Sequence, residues 1–458
     1  MDIPQEIFKA YDIRGVVGKT LTQEIARDVG LAIGSEARER GVQAVAVSRD
    51  GRISGPEISS AVSQGILAAG VDVIDIGMAT TPMLYFAAHH LGTLSGVAVT
   101  GSHNPPDYNG MKIMLAGETL AGEGIMALYR RLKENRVCKG EGRIRKEDIA
   151  QAYFGRIVSD VRLAKPMRVA VDCGNGVVGA FAPALLRALG AEVDELFCDV
   201  DGRFPHHHPD PSQPKNLQDL LAHLRSNPCE LGLAFDGDGD RLGVVTKEGE
   251  IIFADRELMI FAKDVLSRNP GAMVIYDVKC TKLLASWIRE HGGTPLMWKT
   301  GHSWIKQKMA ETGALLAGEM SGHIFFKERW YGFDDGLYAA ARLLEILSRE
   351  ENASLPFASL PRTVATPELR LELDQEGAQH AFVAKISEKG AFPGAREIIR
   401  IDGVRVEYPE GFALVRASNT TPTVIFRFEA DDGDGLARIQ SAFREVLAPV
   451  HPGVALPF

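Results

Sequence analysis

A single serine stands where a loop could present it as a nucleophile. Ser102 follows a short apolar run at residues 96–99, and Gly101 lets the backbone turn tightly beside it. His103 adds a hydrogen-bond donor or proton acceptor, and two nearby prolines stiffen the exit of the loop. A Gly-Ser-His-Asn turn is also common where it has no chemical role. The loop therefore predicts covalent catalysis only in combination with other groups.

Three aspartates at alternate positions form a second candidate site. Asp236, Asp238 and Asp240 are separated by glycines, which let the chain curl until all three carboxylates can reach one hard cation. The spacing resembles the start of an EF-hand, but that loop needs glycine at its sixth position and glutamate at its twelfth. This chain has Arg241 and Lys247 there, so the EF-hand is excluded. A metal site and a solvated loop remain as alternatives.

Two further loops carry polar side chains that suit a small polar ligand and a phosphate group. Glu319, Ser321 and His323 alternate near glycines, so that several side chains can point at one small polar ligand. The last loop combines one cation with hydroxyl and amide donors, which is the set that a phosphate dianion requires. Its residues are Arg416, Ser418, Asn419 and Thr420. A polar hairpin turn would not explain why arginine precedes these small donors.

Strand-like runs and amphipathic stretches alternate around these loops. Apolar runs at 44–47, 71–76 and 96–99 alternate with helical patterns such as 24–40, and the run at 231–235 leads directly into the aspartates. This is the patterning of an α/β protein. The serine and the aspartates are thus both predicted at the ends of strands.

The α/β alternation repeats twice more before the pattern changes. Strand-like runs at 167–171 and 273–276 and a helical stretch at 178–189 continue it, while the polar segment 133–147 indicates a boundary. The last part of the chain contains several short strands and a final helix at 435–447. We therefore predict three α/β domains and a C-terminal α+β domain, at residues 1–149, 150–250, 251–362 and 363–458.

Composition limits the classes of partner. The 458 residues carry a net charge of −9 with the two signs interspersed, so neither a nucleic-acid stripe nor a polybasic membrane patch is predicted. The five cysteines form no Cys-x-x-Cys pair, which argues against a disulfide framework and against a thiolate zinc site. The N-terminal residues lack the pattern of a signal peptide. A soluble, cytoplasmic protein is expected.

Two glycine patterns suggest nucleotide binding; the first is disfavoured and the second is excluded. Residues 174–179 match the dinucleotide fingerprint, and Glu192 and Asp194 follow at about the expected distance. No other feature supports hydride transfer, so a tight strand-to-helix turn is favoured over a dehydrogenase. The Gly-Lys-Thr run at 18–20 is no phosphate-binding loop, because Ile13 stands where the first glycine is needed.

The four polar loops, taken in order, resemble the signature loops of the α-D-phosphohexomutase family, and within it those of the bacterial phosphomannomutases/phosphoglucomutases. The likeness extends over nearly the whole chain. It departs from many members at Gly101, where they carry alanine, which leaves the nucleophile intact. The resemblance implies mixed sheets in the three α/β domains, with one loop from each of the four domains facing a central cleft.

The resemblance also implies roles for individual residues. Ser102 would carry a phosphoryl group, and Mg²⁺ would bind Asp236, Asp238, Asp240 and phosphorylated Ser102. Glu319 would read sugar hydroxyls together with Ser321 and His323, and the arginine loop would hold phosphate. Further substrate contacts are implied for Tyr11, Arg14, Lys279 and His302. The candidate catalytic residues are Ser102, His103, Lys112, Arg241 and His323, the last as a general base.

The implied activity is an intramolecular phosphoryl transfer, which belongs to the isomerase class. Glucose and mannose 1-phosphates would be converted to 6-phosphates through a phosphoserine enzyme, with glucose 1,6-bisphosphate as intermediate and activator. The partners would be small phosphosugars, and the chain is expected to be a monomer. The rival hypothesis is a phosphosugar-binding or sensing protein without turnover. The intact Ser102 and the three aspartates speak against it.

Overall fold

The computed structural model describes residues 3–375, 377–419 and 421–458, which form four units, each built around its own sheet. In the first unit the strands follow the order β1-β5-β4-β2-β3-β7, and β6 pairs with β5. Its elements in chain order are β1 Ile13–Val16, α1 Gln23–Glu39, β2 Ala44–Arg49, α2 Gly55–Ala68, β3 Asp72–Met78, α3 Thr81–His90, β4 Gly96–Val99, β5 Tyr108–Leu115, β6 Glu118–Thr119, α4 Glu123–Lys133 and β7 Ile144–Lys146.

Helices α1 and α2 pack closely against each other because small residues line the contact between them. A Cβ atom on Gly30 would lie 2.2 Å from the carbonyl oxygen of Val62, and one on Gly65 would lie 2.0 Å from that of Arg27. Only glycine fits at these positions. The polar segment 133–147, predicted as a boundary, also contributes β7, which pairs in parallel with β3.

The second unit has a five-stranded mixed sheet in the order β12-β11-β10-β8-β9. The helix predicted at 178–189 is interrupted: a 3₁₀ turn spans Val177–Ala180 and a separate α-helix follows it. Pro183 lacks the N–H that a continuous helix would need, and it lies in the first turn of the new helix. The elements are α5 Ala150–Asp160, β8 Arg168–Asp172, α6 Ala182–Ala188, β9 Glu192–Leu196, α7 Gln218–Ser226, β10 Leu231–Phe235, β11 Leu242–Thr246 and β12 Ile251–Ile252.

The third unit has a four-stranded mixed sheet in the order β14-β13-β15-β16. Asp335 caps the long helix α11, because its side chain accepts a hydrogen bond from the backbone N–H of Tyr338. The elements are α8 Ala254–Arg268, β13 Met273–Asp277, α9 Leu283–Glu290, β14 Thr294–Trp298, α10 His302–Thr312, β15 Leu316–Gly318, β16 Ile324–Phe326, α11 Gly336–Leu347 and α12 Leu355–Ala358.

The fourth unit is an antiparallel sheet in the order β17-β22-β21-β20-β19, with β18 also paired to β22 and two helices packed against it. Its elements are β17 Val364–Ala365, β18 Leu369–Glu372, α13 Ala378–Lys389, β19 Glu397–Ile399, β20 Val404–Glu407, β21 Gly411–Ala417, β22 Thr423–Ala430 and α14 Gly433–Val450. The predicted fold class, three mixed α/β units followed by an α+β unit, is confirmed.

The first three units share a hydrophobic core, whereas the fourth unit has a separate one. One core runs through the first three units, where Phe86, Tyr153 and Trp330 meet. The fourth unit has its own core, built around Phe428 and Phe443. Among the residues described, no helix combines the length and the apolar character needed to span a bilayer. A small apolar cluster of Val278, Phe412 and Leu414 joins the fourth unit to the third.

Candidate active site

The four loops meet in one cleft with a volume of about 440 Å³. Every unit contributes to its lining, so the site exists only because the chain folds around it. The predicted site residues that line the cleft are Tyr11, Arg14, Ser102, His103, Lys112, Arg241, Lys279, His302, Glu319, Ser321, His323, Arg416, Ser418 and Asn419. The predicted residue Thr420 lies outside the described residues. The three aspartates lie fully buried at the cleft's inner end, beside Ser102 and Lys112.

Ser102 has a strained backbone that one arginine holds in place. Its φ of +48° lies in the left-handed region, which costs a non-glycine residue about 1–3 kcal/mol. The guanidinium of Arg52 donates to four carbonyl oxygens of the same loop. These belong to Ser102 at 2.8 Å, Asn104 at 2.6 Å, Pro105 at 2.5 Å and Tyr108 at 3.0 Å. Arg52 is buried, so these bonds are shielded from water.

Asp50 and Gly101 complete the support of the serine loop. One oxygen of Asp50 accepts hydrogen bonds from the Thr100 hydroxyl at 2.8 Å and from the Gly101 N–H at 3.2 Å. A Cβ atom on Gly101 would lie 2.4 Å from the central carbon of the Arg52 guanidinium. Glycine therefore lets the guanidinium close against the loop. Our sequence analysis missed Asp50 and Arg52, although both follow the end of β2, which pairs with β4, the strand that leads into the serine loop.

The aspartate loop joins β10 to β11 and touches the serine. The Ser102 hydroxyl donates to Oδ2 of Asp236 at 3.1 Å. One oxygen each of Asp236, Asp238 and Asp240 lie within 4.8 Å of one another. Oδ1 of Asp238 is buried and has no hydrogen-bond partner in the part of the chain that the structure describes. Because an unpaired buried carboxylate oxygen is costly, this arrangement fits a hard divalent cation.

Lys112 lies between two of the aspartates. Its ammonium group donates to Oδ2 of Asp238 at 2.7 Å and also bonds Asp240. Burial opposes the charge on Lys112, but the two carboxylates outweigh it and raise its pKa well above the ordinary value. Burial and the two neighbouring carboxylates raise the pKa of Asp236 well above its ordinary value. The carboxylate charge at this site is therefore only partly balanced by Lys112.

His323 connects the aspartate loop to the sugar loop. Its Nε2 lies 3.3 Å from Oδ1 of Asp240, and its Nδ1 lies 3.2 Å from Oε2 of Glu319 and 2.8 Å from the Ser321 hydroxyl. Burial opposes protonation, yet Asp240 and Glu319 raise the pKa of His323 to about 9. In this charge state the ring donates hydrogen bonds and cannot accept the proton that a general base takes. The backbone of His323 also pairs with that of Arg241.

His302 is held as a neutral hydrogen-bond donor. Lys306 lies 3.1 Å from Nδ1 of His302, and because an ammonium group only donates, the ring proton must be on Nε2. Burial, together with the charge of Lys306, holds the pKa of His302 well below its ordinary value. Tyr11 packs edge-on against the ring with centroids 5.3 Å apart. Oε1 of Glu319 accepts from the N–H of Gly301 at 2.6 Å, which ties the sugar loop to the start of α10.

Two cationic side chains lie where the third and fourth units meet in the cleft, and each is paired with a carboxylate. Lys279 donates to Glu368 at 2.7 Å, and the Nε of Arg416 donates to Asp402 at 3.0 Å. Burial opposes the charge on Glu368, but Lys279 lowers its pKa to about 2. The Nη2 of Arg416 is buried without a hydrogen-bond partner among the residues that the structure covers. This end of the cleft therefore offers N–H groups to an anion.

His103 and Arg14 lie beside the serine loop. Half-buried His103 is 3.8 Å from Asp210, and desolvation with the charges of Arg241 and Arg14 keeps its pKa well below the ordinary value. Its imidazole is therefore neutral. Arg14 hydrogen-bonds the side chains of Asn104 and Asp12, which connects β1 to the serine loop.

The glycine pattern at 174–179 supports the aspartate loop. Asn175 has a φ of +60°, and the N–H of Val177 donates to the carbonyl oxygen of Gly237 at 3.2 Å. A Cβ atom on Gly176 would lie 2.9 Å from that oxygen. The pattern forms a tight turn that packs against the loop of Asp236 and Asp238. The N–H of Val177, which a dinucleotide phosphate would need, is used within the protein.

Comparison with known proteins gives a consistent result over the whole chain. Models of the phosphoglucomutase/phosphomannomutase alpha/beta/alpha domains I, II and III match residues 5–137, 151–249 and 254–361, and the model of the C-terminal domain matches residues 368–446. The chain is 57% identical to a phosphoglucomutase of Neisseria gonorrhoeae over 447 residues, which is 97% of each chain.

Two further comparisons have full coverage. The chain is 56% identical over 457 residues to a phosphomannomutase/phosphoglucomutase of Pseudomonas aeruginosa, covering 100% of this chain and 98% of that one. A crystal structure of a phosphoglucomutase/phosphomannomutase family protein from Burkholderia thailandensis is 56% identical and covers 100% of both chains, with a TM-score of 0.95.

Proposed function

The chain belongs to the phosphoglucomutase/phosphomannomutase family, and on this premise we propose that it interconverts the 1-phosphates and 6-phosphates of glucose and mannose. The observation that carries the proposal is the contact between the Ser102 hydroxyl and Asp236 at the end of a cleft lined by all four units. This contact puts a nucleophile beside a cluster of carboxylates. A binding protein without turnover would not need it.

Ser102 exchanges a phosphoryl group with the sugar in two steps. In the first, the free hydroxyl oxygen of the hexose phosphate loses its proton and forms a bond to phosphorus, while the bond from phosphorus to Oγ of Ser102 breaks and Oγ takes up a proton. The products are a hexose 1,6-bisphosphate and the free serine. After the bisphosphate turns over in the cleft, Oγ accepts the other phosphoryl group, which regenerates the phosphoserine and releases the isomeric monophosphate. Glucose 1,6-bisphosphate would phosphorylate an unmodified Ser102 in the same way.

The aspartate loop is proposed to hold Mg²⁺ together with phosphorylated Ser102. The unpaired, buried Oδ1 of Asp238 and the three oxygens within 4.8 Å support a hard cation at this place. When bound, the ion would neutralise charge on the transferring phosphoryl group. Lys112, between Asp238 and Asp240, adds positive charge at the same end of the cleft.

Three further groups are proposed to assist the transfer. Arg241 borders the serine and the aspartates and offers a guanidinium to phosphate oxygens. His103 is a neutral imidazole next to the nucleophile and could take up a proton. His323 remains a candidate general base, because a divalent cation held by Asp240 would draw away the carboxylate charge that now raises its pKa.

The opposite end of the cleft is proposed to bind the phosphate that is not being transferred. Lys279 and Arg416 supply the charge, and Ser418 and Asn419 supply neutral donors. Thr420, outside the described residues, is proposed for the same role from the sequence alone. Substrate phosphate would replace Glu368 as the partner of Lys279. Tyr11, Arg14 and His302 line the cleft between the two ends.

The middle of the cleft is proposed to read the sugar through Glu319 and Ser321. The bisphosphate must bind in two opposite orientations, so the loop can use only hydroxyls that occupy similar places after the turn. The 3- and 4-hydroxyls meet this condition, and the 2-hydroxyl does not. Glucose and mannose differ only in the configuration of the 2-hydroxyl. If the protein makes no specific contact with that hydroxyl, the activation free energies for the two sugars should differ by no more than about 1–3 kcal/mol.

We also propose that the four units divide at residues 149/150, 250/251 and 362/363. The first, third and fourth sheets each lie within one of these ranges, whereas β12 Ile251–Ile252 of the second sheet follows the division at 250/251. That the active form is a monomer stays a prediction.

A direct assay of the sugars tests the proposed function. The kcat/KM values for the 1-phosphates of glucose, mannose and N-acetylglucosamine are to be measured under one set of conditions with Mg²⁺ and glucose 1,6-bisphosphate. We expect similar values for glucose and mannose and a lower value for the bulkier N-acetyl sugar. Binding without turnover would support the sensing protein instead, and a thousandfold preference between glucose and mannose would contradict the reading of the sugar loop.

A further inference from the structure

A cysteine, a histidine and an aspartate meet in the second unit, away from the cleft. Asp194 lies on β9, His223 on α7 and Cys229 in the turn before β10. Nε2 of His223 is 2.9 Å from Oδ2 of Asp194, and Sγ of Cys229 is 3.2 Å from the same oxygen. The three donor atoms all lie within 4.8 Å of one another.

An arginine fixes the direction of the aspartate. The guanidinium of Arg168, on the neighbouring strand β8, donates to both oxygens of Asp194, from Nε to Oδ1 at 3.1 Å and from Nη2 to Oδ2 at 3.2 Å. This contact orients Oδ2 towards His223 and Cys229. Metal-binding carboxylates and imidazoles are commonly oriented by such outer hydrogen bonds.

The donors combine thiol, imidazole and carboxylate, which is a set that zinc binds in proteins and that Mg²⁺ does not favour. In a tetrahedral zinc site, bond lengths of about 2.0–2.3 Å separate neighbouring ligand atoms by about 3.3–3.6 Å. The two distances to Oδ2 of Asp194 are only a few tenths of an ångström shorter. Small side-chain movements would therefore admit an ion.

We propose that Asp194, His223 and Cys229 bind a zinc-type transition-metal ion, with water as the fourth ligand. The side chains of Asp194 and His223 are 17% and 25% exposed, which gives the ion and the water a path from solvent. Cys229 is buried and closes the inner side. On binding, the thiol proton is released to solvent and the thiolate sulfur bonds the metal, with no change of oxidation state.

The proposed site is separate from the aspartate loop of the cleft. Asp236 follows the carboxyl end of β10, whereas Cys229 lies two residues before its start. The five residues of β10 span about 17 Å, which separates the two sites along the strand. A bound ion would link β9, α7 and the turn before β10, and so would stabilise the second unit. The site could not be predicted from the sequence, because Asp194 and Cys229 are 35 positions apart.

Cobalt titration of the full chain, with Mg²⁺ in excess, tests the proposal. Thiolate-bound Co²⁺ has an intense charge-transfer band in the near ultraviolet, and the aspartate loop has no thiol that could produce it. We expect the band to saturate at one ion per chain and to be lost on competition with Zn²⁺. It should vanish in Cys229→Ser and weaken in His223→Gln and Asp194→Asn.

Cys280→Ser is the matched control. The Cys280 thiol also hydrogen-bonds a carboxylate, Asp277, at 3.0 Å, but the cluster of possible metal donors does not include it. The band should survive this change. Its absence from the parent chain, or its persistence in Cys229→Ser, would overturn the proposal. If Cys229→Ser fails to fold, as judged by circular dichroism, an unchanged band in His223→Gln would overturn it equally.

Discussion

The hydroxyl oxygen of Ser102 lies 3.1 Å from Oδ2 of Asp236, although 134 positions separate the two residues. The contact connects the loop after β4 with the loop after β10. The two backbones approach so closely that a Cβ atom on Gly237 would lie 2.4 Å from the Ser102 carbonyl oxygen. The nucleophile and the carboxylates are therefore held together by contacts within the protein itself.

Removal of divalent cations should abolish activity. Lys112 balances only part of the charge of the three aspartates, and Oδ1 of Asp238 has no partner among the described residues. We expect EDTA to inactivate the enzyme and Mg²⁺ to restore it. Asp238→Asn should raise the Mg²⁺ concentration needed for half-maximal activity by roughly one order of magnitude or more. Activity that is unaffected by EDTA would refute the metal assignment.

Arg52→Met should impair turnover more than substrate binding. The guanidinium supports four carbonyl oxygens of the serine loop, and Arg52 does not line the cleft. Each buried carbonyl left without a donor costs about 1–3 kcal/mol, so the loop should lose the conformation that directs Ser102. We expect kcat to fall by about a hundredfold or more, with a smaller change in KM.

Arg52→Lys is the conservative comparison for this prediction. Lysine keeps the charge but cannot reach four carbonyl oxygens at once, so it should restore only part of kcat. Near-normal kcat in Arg52→Met, with the fold retained, would show that Arg52 does not position the nucleophile.

Glu368→Gln should strengthen phosphosugar binding. The carboxylate of Glu368 accepts from Lys279 at 2.7 Å and competes with a substrate phosphate for that cation. Glutamine keeps the shape and removes the charge, so the KM for glucose 1-phosphate should fall. Glu372→Gln, at an exposed position at the end of β18, the strand that begins directly after Glu368, is the matched control and should leave KM unchanged. An unchanged or higher KM in Glu368→Gln would contradict the proposed competition.

Asp335→Asn should stabilise the protein at alkaline pH. Burial raises the pKa of Asp335 to about 7 from 3.8. The folded state therefore holds this proton more tightly than the unfolded state. Stability from this group is lost progressively as pH rises from about 4 to about 7, by about 4 kcal/mol in all. Asparagine can keep the helix cap on Tyr338 and the hydrogen bond with Tyr153, and it does not ionise.

Thermal unfolding at pH 5 and pH 8 measures this effect. The Asp335→Asn midpoint should exceed that of the parent at pH 8, and the difference should shrink at pH 5. Asp374→Asn, at an exposed position, should show no such dependence. An equal difference at both pH values would mean that the Asp335 carboxyl is not the titrating group.

The loops were predictable because their chemistry is concentrated in short stretches. Glycines between Asp236, Asp238 and Asp240 show in the sequence that the carboxylates can converge, and an apolar run shows that Ser102 ends a strand. The contact of Glu368 with Lys279 spans 89 positions, and no local pattern marks it. Arg52 was missed for a similar reason, since an arginine in a loop gives no sign that four carbonyl oxygens will surround it.

The intact mass of the protein tests the central claim most directly. After incubation with glucose 1,6-bisphosphate, the parent chain should gain the mass of one phosphoryl group and lose it again on addition of excess hexose monophosphate. Ser102→Ala should gain no mass and should show no measurable turnover while keeping its fold. A phosphoryl group retained in Ser102→Ala, or normal turnover in that variant, would contradict the phosphoserine mechanism.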